Sequence, residues 1–193
     1  YTRRELEELS RVCRERDLKL FVDGARLAYA LASPANDVTL ADLARLTDVF
    51  YIGGTKCGAL FGEAVVIPTR GSIRQFVTQM KQHGALLAKG RLLGVQFEAL
   101  FEDDLYLRIG TPAVEATARI RGALRQAGYV VTMNSPTNLT FVALDQAGHE
   151  RLSRKVRYGI WETLPDGRLL ARLGTSWATP DTDVAAFEEA LAR

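Results

Sequence analysis

Two ionisable side chains stand 33 positions apart, and each follows a short apolar segment of the chain. Asp23 comes directly after residues 18–22, and Lys56 comes shortly after residues 49–52. Both segments are rich in β-branched and aromatic residues and end in turn-forming residues, which predicts buried strands of a parallel sheet. Ligands of such sheets bind outside the carboxyl ends of the strands. A lysine that forms a Schiff base and an acid that pairs with a pyridinium nitrogen are what a pyridoxal 5′-phosphate (PLP) enzyme needs there.

Each of these two residues also has an ordinary explanation when it is taken alone. Asp23 could cap a helix or close a turn before Gly24, and Lys56 could reach solvent from a loop. The small residues of "GGTKCG" would instead surround Lys56 with apolar groups and favour the free amine that attacks an aldehyde. The glycine spacing of this segment excludes a Walker A loop, and no dinucleotide-binding fingerprint follows a strand.

Three more residues are candidates for binding. Arg26, three positions after Asp23, could reach the phenolic oxygen of the cofactor or a substrate carboxylate, or form a surface ion pair. Thr55 could bind the phosphate or satisfy its own loop. Arg172, at the end of a predicted strand, offers a planar fork for a carboxylate, although a sheet-edge arginine is the alternative. Cys57 is expected to fill a small space beside the lysine.

Composition excludes several functional classes. The chain has 193 residues, 47% hydrophobic and 25% charged, with a net charge of +2 that gives no argument for a nucleic-acid partner. Two cysteines make no disulfide framework, so a reduced, cytoplasmic setting is expected. No cluster has metal-ligand spacing, and no apolar run approaches the length of a transmembrane helix.

The order of the predicted elements indicates an α/β region followed by a small α+β domain. Residues 1–108 read as a helix, a strand–helix–strand unit with a parallel strand pair, a third strand in "EAVVIP" and two helices between 74 and 106. Residues 109–193 read as a helix, two strands, a helix, a strand and a helix. Little chain precedes the strand at 18–22 to pair with it, so we expect the carboxyl-terminal part of a longer protein.

The strings "FVDGARLAYA", "DVFYIGGTKCGA" and "ARLGTSWAT", taken together, resemble the threonine aldolase and β-eliminating lyase group of fold-type I PLP-dependent enzymes. The resemblance covers the whole chain. It implies a PLP-binding large domain with a mainly parallel sheet at 1–108 and a small domain at 109–193. Many threonine aldolases have a serine before the lysine and "GLGAP" after it, where this chain reads "GTKCGALFG".

The resemblance also implies the roles of individual residues. Lys56 would carry PLP, Asp23 would pair with its pyridinium nitrogen, and Arg26 would contact the phenolic oxygen of the cofactor or the substrate carboxylate. Arg172, with Arg26 as a second candidate, would bind the substrate carboxylate. The implied enzyme is a carbon–carbon lyase that cleaves a β-hydroxy amino acid to glycine and an aldehyde, as a cytoplasmic homodimer or homotetramer.

Two alternatives remain open at this point. A β-eliminating lyase or an aminotransferase would use the same lysine and acid but break a different bond at Cα. A chain that lacks the amino-terminal cofactor-binding segment of the family would be catalytically incomplete until that segment is supplied.

Overall fold

The computed structural model describes residues 1–192, and these form two compact units. The first unit contains residues 1–31 and 35–108, and the second contains residues 32–34 and the chain from Ile109 onward. The elements of the first unit, in chain order, are α1 (Arg3–Glu15), β1 (Phe21–Val22), α2 (Leu27–Leu31), α3 (Leu40–Leu46), β2 (Val49–Gly53), β3 (Glu63–Val66), α4 (Phe76–Gln82), α5 (Arg91–Phe101), a 3-10 turn (Glu102–Asp104) and α6 (Leu105–Arg108).

Helices α1 and α3 begin where local side chains satisfy their first backbone N–H groups. Thr2 accepts a hydrogen bond from the backbone N–H of Glu5, and the Glu5 carboxylate accepts one from the backbone N–H of Thr2. Thr39 and Asp42 repeat this capping box at the start of α3. Because both motifs can be read from the sequence, the starts of these helices are predictable.

The three-stranded sheet of the first unit has the order β1-β2-β3. Strands β1 and β2 are parallel, with Phe21 opposite Val49, and this confirms the predicted strand–helix–strand unit. Strand β3 pairs antiparallel to β2. Only Phe21 and Val22 of the predicted 18–22 strand are in the ladder, and Phe21 is 55% exposed instead of buried, because β1 is an edge strand of the described sheet.

The long helical segment after β3 is divided, as its glycines predict. Helix α4 ends at Gln82, and Gly84 follows with φ +71°, a conformation that favours glycine. Helix α5 begins after Gly90, whereas Gly94 lies inside it. The 3-10 turn and α6 then complete the segment, so it contains one more short helix than the two predicted.

The second unit packs its helices on a four-stranded antiparallel sheet of order β4-β5-β7-β6. Its elements are α7 (Thr111–Gln126), β4 (Val130–Val131), β5 (Leu139–Leu144), α8 (Gln146–Ser153), β6 (Gly159–Thr163), β7 (Leu169–Gly174) and α9 (Asp181–Ala192). Strand β6 is absent from the sequence prediction. The core residues with at most 1% of their surface exposed are Leu124, Val142, Leu144, Leu152, Ala171 and Val184.

None of the helices described is long and apolar enough to cross a membrane. Within residues 1–192, no three His, Cys, Asp or Glu side chains come together as metal ligands would.

Candidate active site

The Asp23 carboxylate lies just beyond the end of β1, and both of its hydrogen bonds reach the same oxygen. The backbone N–H of Ala25 donates to Oδ1 over 3.0 Å, and the hydroxyl of Tyr51 on β2 donates to that oxygen as well. Among the residues described, no group donates to Oδ2. The carboxylate is therefore fixed through one oxygen, and the other is available to a ligand.

Lys56 stands in a tight loop after β2 that is held from two sides. The Glu63 carboxylate, at the start of β3, accepts hydrogen bonds from the Gly54 backbone N–H (2.5 Å) and from the Thr55 hydroxyl (3.0 Å). The Tyr29 hydroxyl on α2 donates to the backbone carbonyl of Lys56. The Lys56 side-chain nitrogen makes no hydrogen bond or ion pair with any described residue, so it is unpartnered on a fixed backbone.

Beneath the loop lies a small buried cluster. The Cys57 thiol is 2% exposed and donates to the Gly53 carbonyl over 3.0 Å. The fully buried Tyr106 donates its hydroxyl to the same carbonyl, also over 3.0 Å. Burial raises the pKa of Cys57 to about 11 and raises the pKa of Tyr106 as well, so both groups stay neutral at physiological pH.

A close approach of two backbone segments joins the acid to the lysine loop. The Gly53 N–H donates to the Gly24 carbonyl over 2.9 Å. A Cβ atom on Gly24 would lie 1.7 Å from the Tyr51 carbonyl oxygen, so only glycine fits after Asp23. Steric exclusion of a side chain therefore explains why the "DGAR" string has glycine at position 24.

The charges around Asp23 favour its ionised form. The hydrogen bond from Tyr51 is the largest cause of a lowered Asp23 pKa, followed by the Ala25 hydrogen bond. The positive charges of Lys56 and Arg26 lower it further. Lys56 and Arg26 therefore lie close enough to Asp23 to act on its charge, and neither forms an ion pair with it.

Arg172 lies on β7 in the second unit. Its guanidinium stacks over the Trp161 ring at 4.6 Å from the centroid. The Phe141 ring contacts the same Trp161 ring edge-on. Within the described chain, the guanidinium of Arg172 has no carboxylate partner and donates no hydrogen bond. An arginine held by stacking alone keeps its hydrogen-bonding fork free for an anion.

Two features of this site differ from the sequence-based expectation. Lys56 is exposed, which is the alternative in which a loop lysine reaches solvent, while Cys57 fills the small space beside it as expected. The hydroxyl of Thr55 is bonded to Glu63, which is the loop-satisfying alternative.

Three residues of the site were missed by the sequence analysis: Tyr29, Tyr51 and Glu63. Each acts through a partner that is distant in sequence, such as Asp23 for Tyr51. A signal existed only for Glu63, because the hairpin that places it opposite Gly53 could have been drawn from the antiparallel reading of "EAVVIP".

Comparisons with known proteins agree on one family. The protein family described as "Beta-eliminating lyase" matches residues 1–157. A low specificity L-threonine aldolase of Pseudomonas aeruginosa is 33% identical over 195 residues, which is 98% of this chain and 53% of that protein. The chain therefore spans about half the length of this relative.

Solved structures extend the likeness to three dimensions. A structure of Leishmania major threonine aldolase has 44% sequence identity and a TM-score of 0.93, covering 100% of this chain and 56% of its own. A serine palmitoyltransferase of Sphingomonas wittichii has 15% identity and a TM-score of 0.66, covering 96% of this chain and 50% of its own. At that identity the second likeness shows the fold alone.

Proposed function

The chain belongs to the β-eliminating lyase family and has the α/β fold of fold-type I PLP-dependent enzymes, and from this premise we propose that it carries the cofactor lysine of an amino acid lyase. The proposed reaction is cleavage of a β-hydroxy amino acid to glycine and an aldehyde. The two threonine aldolases named above, at 33% and 44% identity, support this choice within the family. The observation that carries it is that an unpartnered lysine and a carboxylate with one open oxygen follow two neighbouring parallel strands.

The residues present fit PLP. The Lys56 amine is the attachment point for the cofactor's aldehyde, and Oδ2 of Asp23 is an open acceptor for a protonated pyridine nitrogen. Arg26 is proposed to contact the phenolic oxygen. Thr55 is proposed as a phosphate contact, in which its hydroxyl would donate to a phosphate oxygen in place of Glu63.

When bound, PLP supplies an electron sink for the bond that breaks at Cα. The ionised Asp23 keeps the pyridine nitrogen protonated, and the hydrogen bonds and cations that lower its pKa maintain that charge. Lys56 would hold PLP through its side-chain nitrogen. Its amine also remains available to move a proton at Cα.

Arg172 is proposed to bind the substrate carboxylate, with Arg26 as a second contact. Support comes from the fork of Arg172, which has no acidic partner within the described chain and is stacked on Trp161. A fixed carboxylate selects which bond at Cα is aligned for cleavage, because orientation decides which electrons can be withdrawn.

The proposal extends to the setting of the protein. We place it in the cytoplasm as a homo-oligomer that acts on a small amino acid. Cys13 and Cys57 are free thiols, as a reducing compartment would keep them. The segments that relatives have and this chain does not span are proposed to be needed for full activity.

The test is covalent trapping of PLP. The purified chain is incubated with PLP and reduced with borohydride, and the modified lysine is identified by peptide mapping. We expect modification at Lys56, its loss in Lys56→Arg, and no change in Lys155→Arg, which alters an exposed lysine of the second unit. Labelling spread over several surface lysines, or none, would refute the assignment.

Product analysis then separates the reactions. Glycine and an aldehyde from a β-hydroxy amino acid support the aldolase, whereas an α-keto acid with ammonia indicates β-elimination, and an exchanged amino group indicates transamination. Labelling of Lys56 without turnover, with turnover restored by the remaining part of a full-length relative, would identify the catalytically incomplete alternative.

A further inference from the structure

The hydrogen bonds of Asp23 are distributed unevenly between its two oxygens. The Ala25 N–H and the Tyr51 hydroxyl both donate to Oδ1, while Oδ2 receives no hydrogen bond from residues 1–192. Asp23 is exposed, so packing does not restrain its side-chain torsions. Its orientation is therefore set by these two donors.

Tyr51 is well placed to be the directing donor. It lies on β2, one residue before Ile52 and opposite Val65 of β3, so its backbone is fixed by pairing. Its ring contacts the Phe21 ring at 5.8 Å between centroids, which restrains the side chain from the β1 side. The pKa of Tyr51 is raised to about 12, first by its hydrogen bond to Asp23, so the hydroxyl remains a donor over the whole physiological range.

We infer that Tyr51 is a positioning residue that occupies Oδ1 of Asp23 and so presents Oδ2 to the pyridine nitrogen of the cofactor. This inference rests on the proposed function and names a residue that acts through Asp23 without touching the cofactor. Phenylalanine at position 51 would keep the ring contact and remove only the donor.

The experiment is a double-mutant cycle on PLP binding. The dissociation constant of PLP is measured by equilibrium dialysis for the unaltered chain, Tyr51→Phe, Asp23→Ala and the double variant. Loss of one hydrogen bond should weaken binding about 3- to 10-fold in Tyr51→Phe. In the Asp23→Ala background the same change should have no effect, because alanine offers no oxygen to accept the Tyr51 hydroxyl. Tyr158→Phe, which removes a hydroxyl bonded to His149 in the second unit, serves as the control and should match the unaltered chain.

A second readout requires no cofactor. Carbon-13 NMR of the carboxyl groups should show a higher Asp23 pKa in Tyr51→Phe than in the unaltered chain, since the largest cause of the lowered value has been removed. The same spectra report whether the variant is folded.

The outcomes are distinct. A raised Asp23 pKa with weaker PLP binding that depends on Asp23 supports the inference. Unchanged PLP affinity, an unchanged Asp23 pKa, or an equal effect in both backgrounds overturns it while leaving the PLP proposal intact. Failure of the unaltered chain to be trapped at Lys56 would overturn the proposed function itself, and the inference with it.

Discussion

Cys57 is adjacent to the candidate lysine but is not expected to react. Its thiol is 2% exposed, and burial raises its pKa to about 11, so about one molecule in a thousand carries the thiolate at pH 8. We predict that iodoacetamide at pH 8 alkylates the partly exposed Cys13 and leaves Cys57 intact. Mapping the alkylated peptides measures this directly.

The pH dependence has a definite sign. The reactive thiolate is the deprotonated form, so alkylation of Cys57 should rise as pH approaches 11 and should be negligible below pH 9. Equal labelling of Cys13 and Cys57 at pH 8 in the folded chain would contradict the prediction, whereas equal labelling in denaturant is its control.

At the residue scale, the sequence predicts where Asp23 and Lys56 lie, because each follows a recognisable strand. It does not predict the residues that hold them in place. Tyr51 lies inside a strand, where an aromatic residue is usually part of the core, and its role depends on which strand is its neighbour. Glu63 depends on the register that sets Gly53 opposite it. Residues such as Tyr51 and Glu63 can be assigned to the site only when the pairing of the strands is known, because their local sequence pattern does not indicate their partners.

Among the elements, the junction of β1 and β2 is the most sensitive. We predict that Gly24→Ala lowers the free energy of unfolding by about 1–3 kcal/mol, because the new Cβ would overlap the Tyr51 carbonyl oxygen at 1.7 Å. Gly122→Ala is the matched control, since nothing lies within 4 Å of its added Cβ in α7. That change should stabilise the chain by about 0.5–1 kcal/mol.

Chemical denaturation with urea measures both variants. Similar stability of Gly24→Ala and the unaltered chain would show that the two strand ends are able to move apart. Destabilisation without loss of PLP labelling at Lys56 would show that the junction is not needed to hold the site.

Trp161, on the edge strand β6, stacks on Arg172, the residue proposed to bind the substrate carboxylate. We predict that Trp161→Ala raises the KM for the amino acid about 2- to 5-fold by releasing the guanidinium from its ring, with Trp161→Phe in between. Steady-state kinetics of the active protein measure this effect. A fall in kcat at unchanged KM would contradict it.

Strand β6 shows why one element escaped prediction. All five of its residues are exposed, so it lacks the alternation of apolar and polar residues that marks a half-buried strand. The sequence feature that could have predicted β6 is the "PDG" turn, which follows the strand. Leu164 donates its N–H to the Arg168 carbonyl, and Gly167 has φ +84°, as a hairpin turn requires. Turn chemistry was therefore more informative here than hydrophobic pattern.

For the molecule as a whole, the second unit has a core of its own. Side chains of α7, β5, α8, β7 and α9 bury one another there. We predict that residues 109–193 fold when expressed alone, because this core supplies the contacts that an independent domain needs. A dispersed amide NMR spectrum and a cooperative thermal transition would show this, and collapsed spectra would contradict it.

The first unit differs from the second because part of its apolar surface is uncovered. Beside its edge strand β1 runs a mainly apolar groove of about 430 Å³. Its lining includes Leu6, Leu9, Val22 and Leu27. Together with the exposed Phe21, this groove leaves hydrophobic surface uncovered in the described part of the chain. The overall fold class was predictable from strand order, but this exposure was not, because the strand pattern alone indicated burial on both sides.

The bonds that hold the lysine loop also determine how its amine can move. Glu63 holds Gly54 and Thr55, Tyr29 holds the carbonyl of Lys56, and the N–H groups of Cys57 and Ala59 each donate to Gly54 over 3.0 Å. With the backbone fixed, the methylene chain of Lys56 is the moving part. Rotamer changes of exposed side chains take picoseconds to nanoseconds, whereas loop motions take nanoseconds to microseconds. The amine can therefore approach and leave a bound partner by side-chain rotation alone, so no opening of residues 53–57 need limit the rate of turnover.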